Sequence, residues 1–275
     1  METAKIKNFI LIVLVLANVF LLVIFGVEKS REFEVERQAY AQLQELYEKA
    51  GISLPGSLSV MEKAPVSRGL SRSLEAERMM LEKVLGKCTV IEERGNIYAY
   101  IGTNGQAKLR GTGEFDMLLG YGVANGSDGK EKCARELLEK MGFECGSYVH
   151  EEVNGEQTTI TLNCVFEGND VYNARISCLF SGNNLMIVEG KRFFDTDVET
   201  AHSETIDAGT ALVRFLKESV EKGIVCTSVT DISAGYNMSV TVSGDCILSP
   251  VWYINTDAGS HVLNAETGKM EIITY

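Results

Sequence analysis

Three histidines, seven cysteines and one glycine string are the parts of this sequence whose chemistry has to be considered first. His150, His202 and His261 stand apart from one another, and none has a partner at HExxH or similar helical spacing. Without that motif a zinc centre or histidine-based catalysis is poorly supported, so surface or core roles are expected for all three. The thiols are Cys88, Cys133, Cys145, Cys164, Cys178, Cys226 and Cys246. None sits in a CxxC, the signature of a thioredoxin-type or zinc-ribbon site. Their number is odd and sparse for a disulfide scaffold, so buried, unpaired thiols are expected. A hairpin in which Phe166 faces about Val171 places Cys164 and Cys178 on neighbouring strands without opposing them. Gly120, Gly122 and Gly126 form GxGxxxG ahead of a helix, where exposed backbone N–H groups could hold a phosphate. The spacing departs from GxGxxG, no Walker lysine follows, and the surrounding pattern is not βαβ, so a flexible linker between lobes is expected. No GxSxG is present. No catalytic, metal or cofactor-binding residue and no cofactor is assigned.

The elements that carry these residues read as helices alternating with runs of strands. Residues 29–50 form a helical pattern with Phe33, Tyr40, Leu43, Tyr47 and Ala50 near one face, ended by Gly51. This helix is either a stalk or an element packed on the following domain. The stretch from Ile52 to Arg72 is polar and irregular. Three similar units follow, each a helix and then several strands. The first has a helix from Leu74 to Leu85 with Ser73 as N-cap, and strands near Thr89–Glu93, Ile97–Ile101 and Ala107–Leu109. The second has a helix from Lys130 to Met141, with Asp128 and Glu131 at capping-box spacing. Its strands lie near Tyr148–Val153, Thr158–Phe166, Val171–Phe180 and Leu185–Val188. The third has a helix from Thr205 to Val220 and strands near Val225–Ile232, Tyr236–Val242, Val251–Asn255, His261–Asn264 and Met270–Thr274. Short hairpin connections imply antiparallel pairing, so the expected class is α+β, with helices on one face of curved antiparallel sheets.

Ahead of these units, Phe9–Val27 reads FILIVLVLANVFLLVIFGV, uncharged and with Asn18 as its one polar side chain. As a helix it would be about 28 Å long, near the thickness of a bilayer core. A cleaved signal peptide is the alternative, but its apolar region is shorter and ends in a small-x-small site. A retained transmembrane helix is expected. Lys5 and Lys7 favour a cytoplasmic N-terminus. The chain then divides into a cytoplasmic tail (1–8), the span (9–27), a juxtamembrane helix and linker (28–56), a first extracytoplasmic α+β lobe (57–127) and a second (128–275). Leu11, Leu14, Asn18, Leu21 and Phe25 follow 3-4-3-4 spacing and form a seam for a partner helix. The other account of Asn18 is a bond to its own helix backbone.

Composition agrees with a folded outer part. The 275 residues are 45% hydrophobic with only 3 prolines, enough to fill a core and too ordered for wholesale disorder. With 26 Lys+Arg against 38 Asp+Glu, the net charge of −12 argues against a nucleic-acid partner, which needs clustered cations.

The stretch from Pro250 to Met270, PVWYINTDAGSHVLNAETGKM, resembles the closing hairpin of PepSY-like domains, with its Pro-x-Trp opening and Asn-Ala-x-Thr-Gly turn. The N-terminal KIKNFILIVLVLANVFLLVIF resembles the anchor of the YycH/YycI family of Gram-positive bacteria: a short basic tail and one span with a mid-membrane polar residue. Glu48-Lys49-Ala50-Gly51-Ile52 and Leu54-Pro55 also fit that family's entry to its outer domain. Together these resemble the YycI-like branch, and the plan covers nearly the whole chain. The resemblance implies a non-enzymatic, single-pass membrane regulator that contacts the WalK sensor histidine kinase through membrane helices, with a YycH-like sister protein, and so tunes cell-wall metabolism. Two other readings stay open at this point: a PepSY-type module that binds or inhibits an extracytoplasmic peptidase by strand addition, and an enzyme of unrecognised type.

Overall fold

The computed structural model describes residues 31, 33–191, 195–198, 204–241 and 245–271. Residues 9–27 lie outside this set. Among the described residues no helix is long and apolar enough to cross a membrane. The architecture is mixed α+β, and the described residues place fourteen strands in one hydrogen-bonded sheet.

The helix at 33–49 (α1) ends as its glycine requires. Gly51 takes a φ of 76°, and the Ile52 N–H closes back on the Tyr47 carbonyl. Its C-terminal half is packed rather than free, since Leu43 and Tyr47 are buried and the Tyr47 hydroxyl donates to the Leu212 carbonyl at 2.8 Å. Its N-terminal turn is open, with Phe33 exposed.

A strand then crosses the polar segment, β1 (Arg68–Arg72), which the sequence reading left irregular. Its register is supplied entirely from outside. It pairs with β12 (Cys246–Thr256) on one side and β10 (Asp195–Val198) on the other. Helix α2 (Leu74–Leu85) follows, with Ser73 accepting from the Ala76 N–H as expected. Strands β2 (Thr89–Glu93), β3 (Ile97–Gly102), β4 (Gly105–Leu109) and β5 (Glu114–Leu119) form an antiparallel meander. β5 was missed in the sequence, although Phe115, Met117 and Leu119 alternate in the strand manner.

The second unit repeats the plan. Helix α3 (Lys130–Met141) precedes β6 (Glu144–Asn154), β7 (Gln157–Phe166), β8 (Asn169–Ser181) and β9 (Asn184–Lys191). The capping box does not form. Gly129 is the N-cap and no side chain caps the helix, because α3 starts one residue later than Asp128 would require. The third unit is α4 (Ala208–Lys222), then β11 (Val229–Val240), β12, β13 (Gly259–Asn264) and β14 (Met270–Glu271). α4 starts at 208 rather than 205 because Asp207 is its N-cap, accepting from the Thr210 N–H at 2.7 Å. β12 and β13 pair from Val251↔Asn264 to Thr256↔Gly259, as the hairpin reading expected.

The sequence reading split β11 in two at Gly235. That glycine is not a turn. β11 runs through it and there meets β8 in the only parallel pairing among the described strands, Gly235↔Asp170 and Tyr236↔Val171. A side chain at 235 would strike the Asp170 carbonyl and the Tyr172 ring, so the close approach requires glycine.

Two cores result. The larger joins α2 and α3 with one face of β3–β5 and β7–β9, and runs on to Tyr236, Met238 and Leu248. The smaller packs α1 and α4 on Trp252, Ile254 and Leu263. One buried ion pair ties β1 to the first unit. Arg72 donates through Nε to Glu77 Oε1 at 2.7 Å and through Nη2 to Oε2 at 3.1 Å, and the Tyr100 hydroxyl donates to Oε2 at 2.9 Å. Glu77 is 0% exposed, so these donors stand in for water around its carboxylate. Arg72 also donates to the Asn96 carbonyl and lies 4.9 Å from the Tyr98 ring centre.

Glu77→Leu or Arg72→Met alone should destabilise the fold by about 3–5 kcal/mol, because each strands its partner in the core. The double substitution Arg72→Met/Glu77→Leu should regain most of that loss. Urea unfolding of the four proteins in a double-mutant cycle measures both.

Candidate functional site

The seam residues Leu11, Leu14, Asn18, Leu21 and Phe25, and His202, lie outside the described residues. The other two histidines are separated. His150 is exposed on β6, opposite Thr161. His261 lies against the Phe215 ring at 5.3 Å, with Nε2 buried and without a hydrogen-bond partner. Burial without a partner disfavours the imidazolium and holds its pKa below the ordinary 6.5. Among the described residues no group of His, Cys, Asp and Glu is placed to hold a metal ion.

Among the described residues no two of the seven cysteines are joined in a disulfide, and four of them are buried. Burial pushes the thiols of Cys88, Cys133, Cys145, Cys164, Cys178 and Cys226 up, away from the thiolate that nucleophilic chemistry uses. The β7–β8 register differs from expectation. Phe166 faces Asn169 and Cys164 faces Val171, and Cys164 and Cys178 remain unopposed.

The glycine string is not a loose connection. Gly120 N–H bonds to the Asn104 carbonyl, Gly126 N–H to the Asn183 carbonyl, and Leu185 N–H to the Ala124 carbonyl. The first bond ties the segment to the β3–β4 turn, and the other two tie it to the β8–β9 hairpin. The N–H groups of Gly120 and Gly126 are thereby used within the fold.

The feature with the reach of a binding site lies elsewhere. α2 and α3 both pack on one face of the sheet that runs from β3 to β9 and β7, through Tyr100, Ala107, Met117, Val188, Cys178 and Ile160. Side chains alternate across a strand, so the residues between these point the other way, where no helix lies among the described residues. Register places Ile101, Gln106, Leu118, Ile187 and Leu179 in a row on that face. Ile101 is 44% and Leu118 43% exposed. Ile91, on β2, is 46% exposed and extends the apolar stripe.

Beside the stripe the face sinks into a trough of two adjoining hollows, about 410 and 470 Å³. Glu114 and Lys191, paired across β5 and β9, line both. One hollow is bounded by Arg110, Asp116, Arg175, Ser177 and Glu189. The other runs to Met238 and Val240, at the end of β11. Asp116 lies directly opposite Glu189, a like-charge pairing that is unfavourable unless cations offset it. Arg110 forms an ion pair with Asp116, and Arg175 and Lys191 stand in the same wall. The trough therefore presents three cations and three carboxylates beside an aliphatic stripe. Such a surface can hold a polypeptide by apolar contact and paired charges. The sequence reading missed it, though the strand alternation on which it rests was legible.

No protein-family model matches the chain, and no curated protein matches it. Among solved structures, the chain is similar to an uncharacterized protein from Eubacterium rectale, with a TM-score of 0.50, 12% identity, and coverage of 81% of this chain and 90% of that one. It is also similar to the Bacillus megaterium YpeB C-terminal domain, with a TM-score of 0.38, 11% identity, and coverage of 75% and 98%. The first likeness is one of fold alone; the second is too loose to carry an argument.

Two measurements check the face assignments and the histidine. Leu118→Lys, on the helix-free face, should change stability by less than about 0.5 kcal/mol, whereas Met117→Lys, one residue away in the core, should cost more than about 3 kcal/mol or prevent folding. Urea midpoints compare the two. For His261, the unfolded chain takes up a proton below about pH 6.5 and the folded chain does not, so stability should fall as pH drops from that value towards the lower folded pKa. His261→Gln should flatten this limb. The separate loss expected from Glu45, Glu218 and Asp257, whose carboxyls are held low by hydrogen bonds, begins only below their ordinary values of 4.5, 4.5 and 3.8. Urea midpoints between pH 8 and 5 test the histidine limb.

Proposed function

We propose that this chain is a non-enzymatic, single-pass membrane protein whose outer α+β domain and transmembrane helix regulate a WalK-like sensor histidine kinase, in the manner of the YycH/YycI family. In this reading its N-terminus is cytoplasmic, its C-terminal domain is extracytoplasmic, a YycH-like protein is a further partner, and cell-wall metabolism is the output. The observation that carries the reading is the uncharged run from Phe9 to Val27 with Asn18 at its centre. A polar amide in hydrocarbon gains most from a partner across a helix interface. The Leu11, Leu14, Leu21 and Phe25 side chains supply packing, and Asn18 adds an interhelical hydrogen bond that sets register.

The outer domain supports the reading in two ways. Three successive units of helix plus antiparallel strands, closed by the Val251–Asn264 hairpin, are the arrangement expected of PepSY-like repeats. The helix-free face with its trough offers a second contact for the kinase's outer region. The exposed β2 favours a second reading, a PepSY-type module that binds or inhibits an extracytoplasmic peptidase, since every residue of that edge strand is open to an added strand.

Asn18→Leu keeps the span apolar and near in volume, so insertion should survive. Association with a WalK-like kinase should weaken about 3- to 30-fold, corresponding to roughly 0.6–2 kcal/mol. Leu16→Ala and Leu22→Ala, off the seam, should do less. A membrane two-hybrid assay with a response-regulator reporter reads both. Wild-type signals from a stably inserted Asn18→Leu protein would exclude helix docking and shift the whole contact to the outer domain.

A further inference from the structure

Cys145 and Cys164 are Cα partners across the antiparallel β6–β7 pair. Directly opposed residues in such a pair lie roughly 4.5–5.5 Å apart at Cα and project to the same face. A disulfide spans about 4.4–6.8 Å between Cα atoms, so the separation suits one without moving either strand bodily. Both thiols belong to the larger core: Cys164 is fully buried, and the half-buried Cys145 packs at its margin. Neither is bonded to another cysteine.

The surrounding backbone is built to let this pair adjust. Immediately after Cys145 the β6–β7 register slips, leaving residues 146–148 unpaired before Val149↔Leu162 resumes. On the other side of β7 the register slips again, between Asn163 and Cys164. Bulges bend a strand and re-aim its side chains. Gly146, the first bulged residue, lies so close to the Asn163 and Asp170 side chains that any Cβ would collide with them. Arg135 of α3 reaches over the bulge and donates to the Gly146 carbonyl at 2.9 Å, which brings its guanidinium beside Cys145. Cys145 is thus the more accessible sulfur of the pair and the one next to a cation.

We propose that Cys145 and Cys164 are a redox modification site, oxidised to a cross-strand disulfide by a low-molecular-weight disulfide and reopened by a thiol. In the first step the Cys145 thiolate attacks one sulfur of the oxidant. A mixed disulfide forms and one thiolate leaves. The Cys164 thiolate then attacks the Cys145 sulfur and expels the second. The protein loses two electrons, the oxidant gains them, and the two cysteine protons end on the two released thiols. Closure pins β6 to β7 beside the bulge, under α3. Burial of both sulfurs makes the exchange slow, since the thiolate is the reacting form.

The test uses the full-length chain in detergent, incubated with cystine, alkylated without reduction, digested and read by mass spectrometry. A Cys145–Cys164 linked peptide should be the main product, should disappear on treatment with dithiothreitol, and should raise the urea midpoint of the oxidised protein above that of the reduced protein. Cys145→Ser and Cys164→Ser should each abolish the link; Cys133→Ser and Cys178→Ser, which remove the two other thiols of this region, should leave it. Linkage of Cys145 to Cys133 or Cys178, or seven alkylatable thiols in folded wild-type protein after oxidation, would overturn the proposal. Because the wild-type map decides the question, it holds even if a serine variant fails to fold.

Discussion

Arg72 leaves strand β1, passes over the Tyr98 ring and ends on a carboxylate that water does not reach. The guanidinium and the Tyr100 hydroxyl supply hydrogen bonds that water would otherwise give Glu77, and removing Arg72 would strand a buried carboxylate. The pair matters because of what it joins. β1 is held between β10 and β12, which come from far along the chain, while Glu77 belongs to the helix of the first unit. One desolvated ion pair therefore couples the C-terminal sheet to the first repeat. It also fixes the turn at Asn96, whose carbonyl takes a further bond from the same arginine.

The same economy appears where the second and third units meet. β8 has β7 along one edge and divides its other edge between β9 and β11. The division works because Gly235 lets β11 come close to the Asp170 carbonyl and the Tyr172 ring. Tyr172 then stacks on Tyr253 of β12, with ring centres 4.3 Å apart, and donates to Ser233. Placing α2 and α3 on one face of the sheet leaves the opposite face free of helices among the described residues. Its trough opens where β11 ends beside β5 and β9. The proposed outer contact with a kinase and the fold's own assembly thus depend on the same junction.

The strand slips on either side of β7 have a chemical consequence besides a geometric one. The β6–β7 hairpin starts at Asn154↔Gln157, and that register carried through unbroken would set Cys145 opposite Phe166. The bulge moves it opposite Cys164. A local irregularity thereby brings together two thiols that regular pairing would keep apart.

Much of the fold was legible from the chain. Helix periodicity located α2 and α3, the Ser73 cap fixed the start of α2, and short connections between strand patterns located the hairpins, because these signals act over a few residues and need no distant partner. The apolar run at 9–27, the absence of a HExxH, and the thiol spacing were likewise properties of the chain itself. Tertiary structure alone decided the rest. β1 has too little apolar patterning to be a strand without β10 and β12, and Gly235 reads as a turn until β8 is beside it. Glu77 reads as a first-turn charge on a helix until the sheet closes over it. The trough's charges come from the β4–β5 turn, β5, β8 and β9, and the Cys145–Cys164 pairing comes from a bulge. Each depends on contacts between residues far apart in sequence, where local propensity has no hold and only the packed sheet supplies the partner.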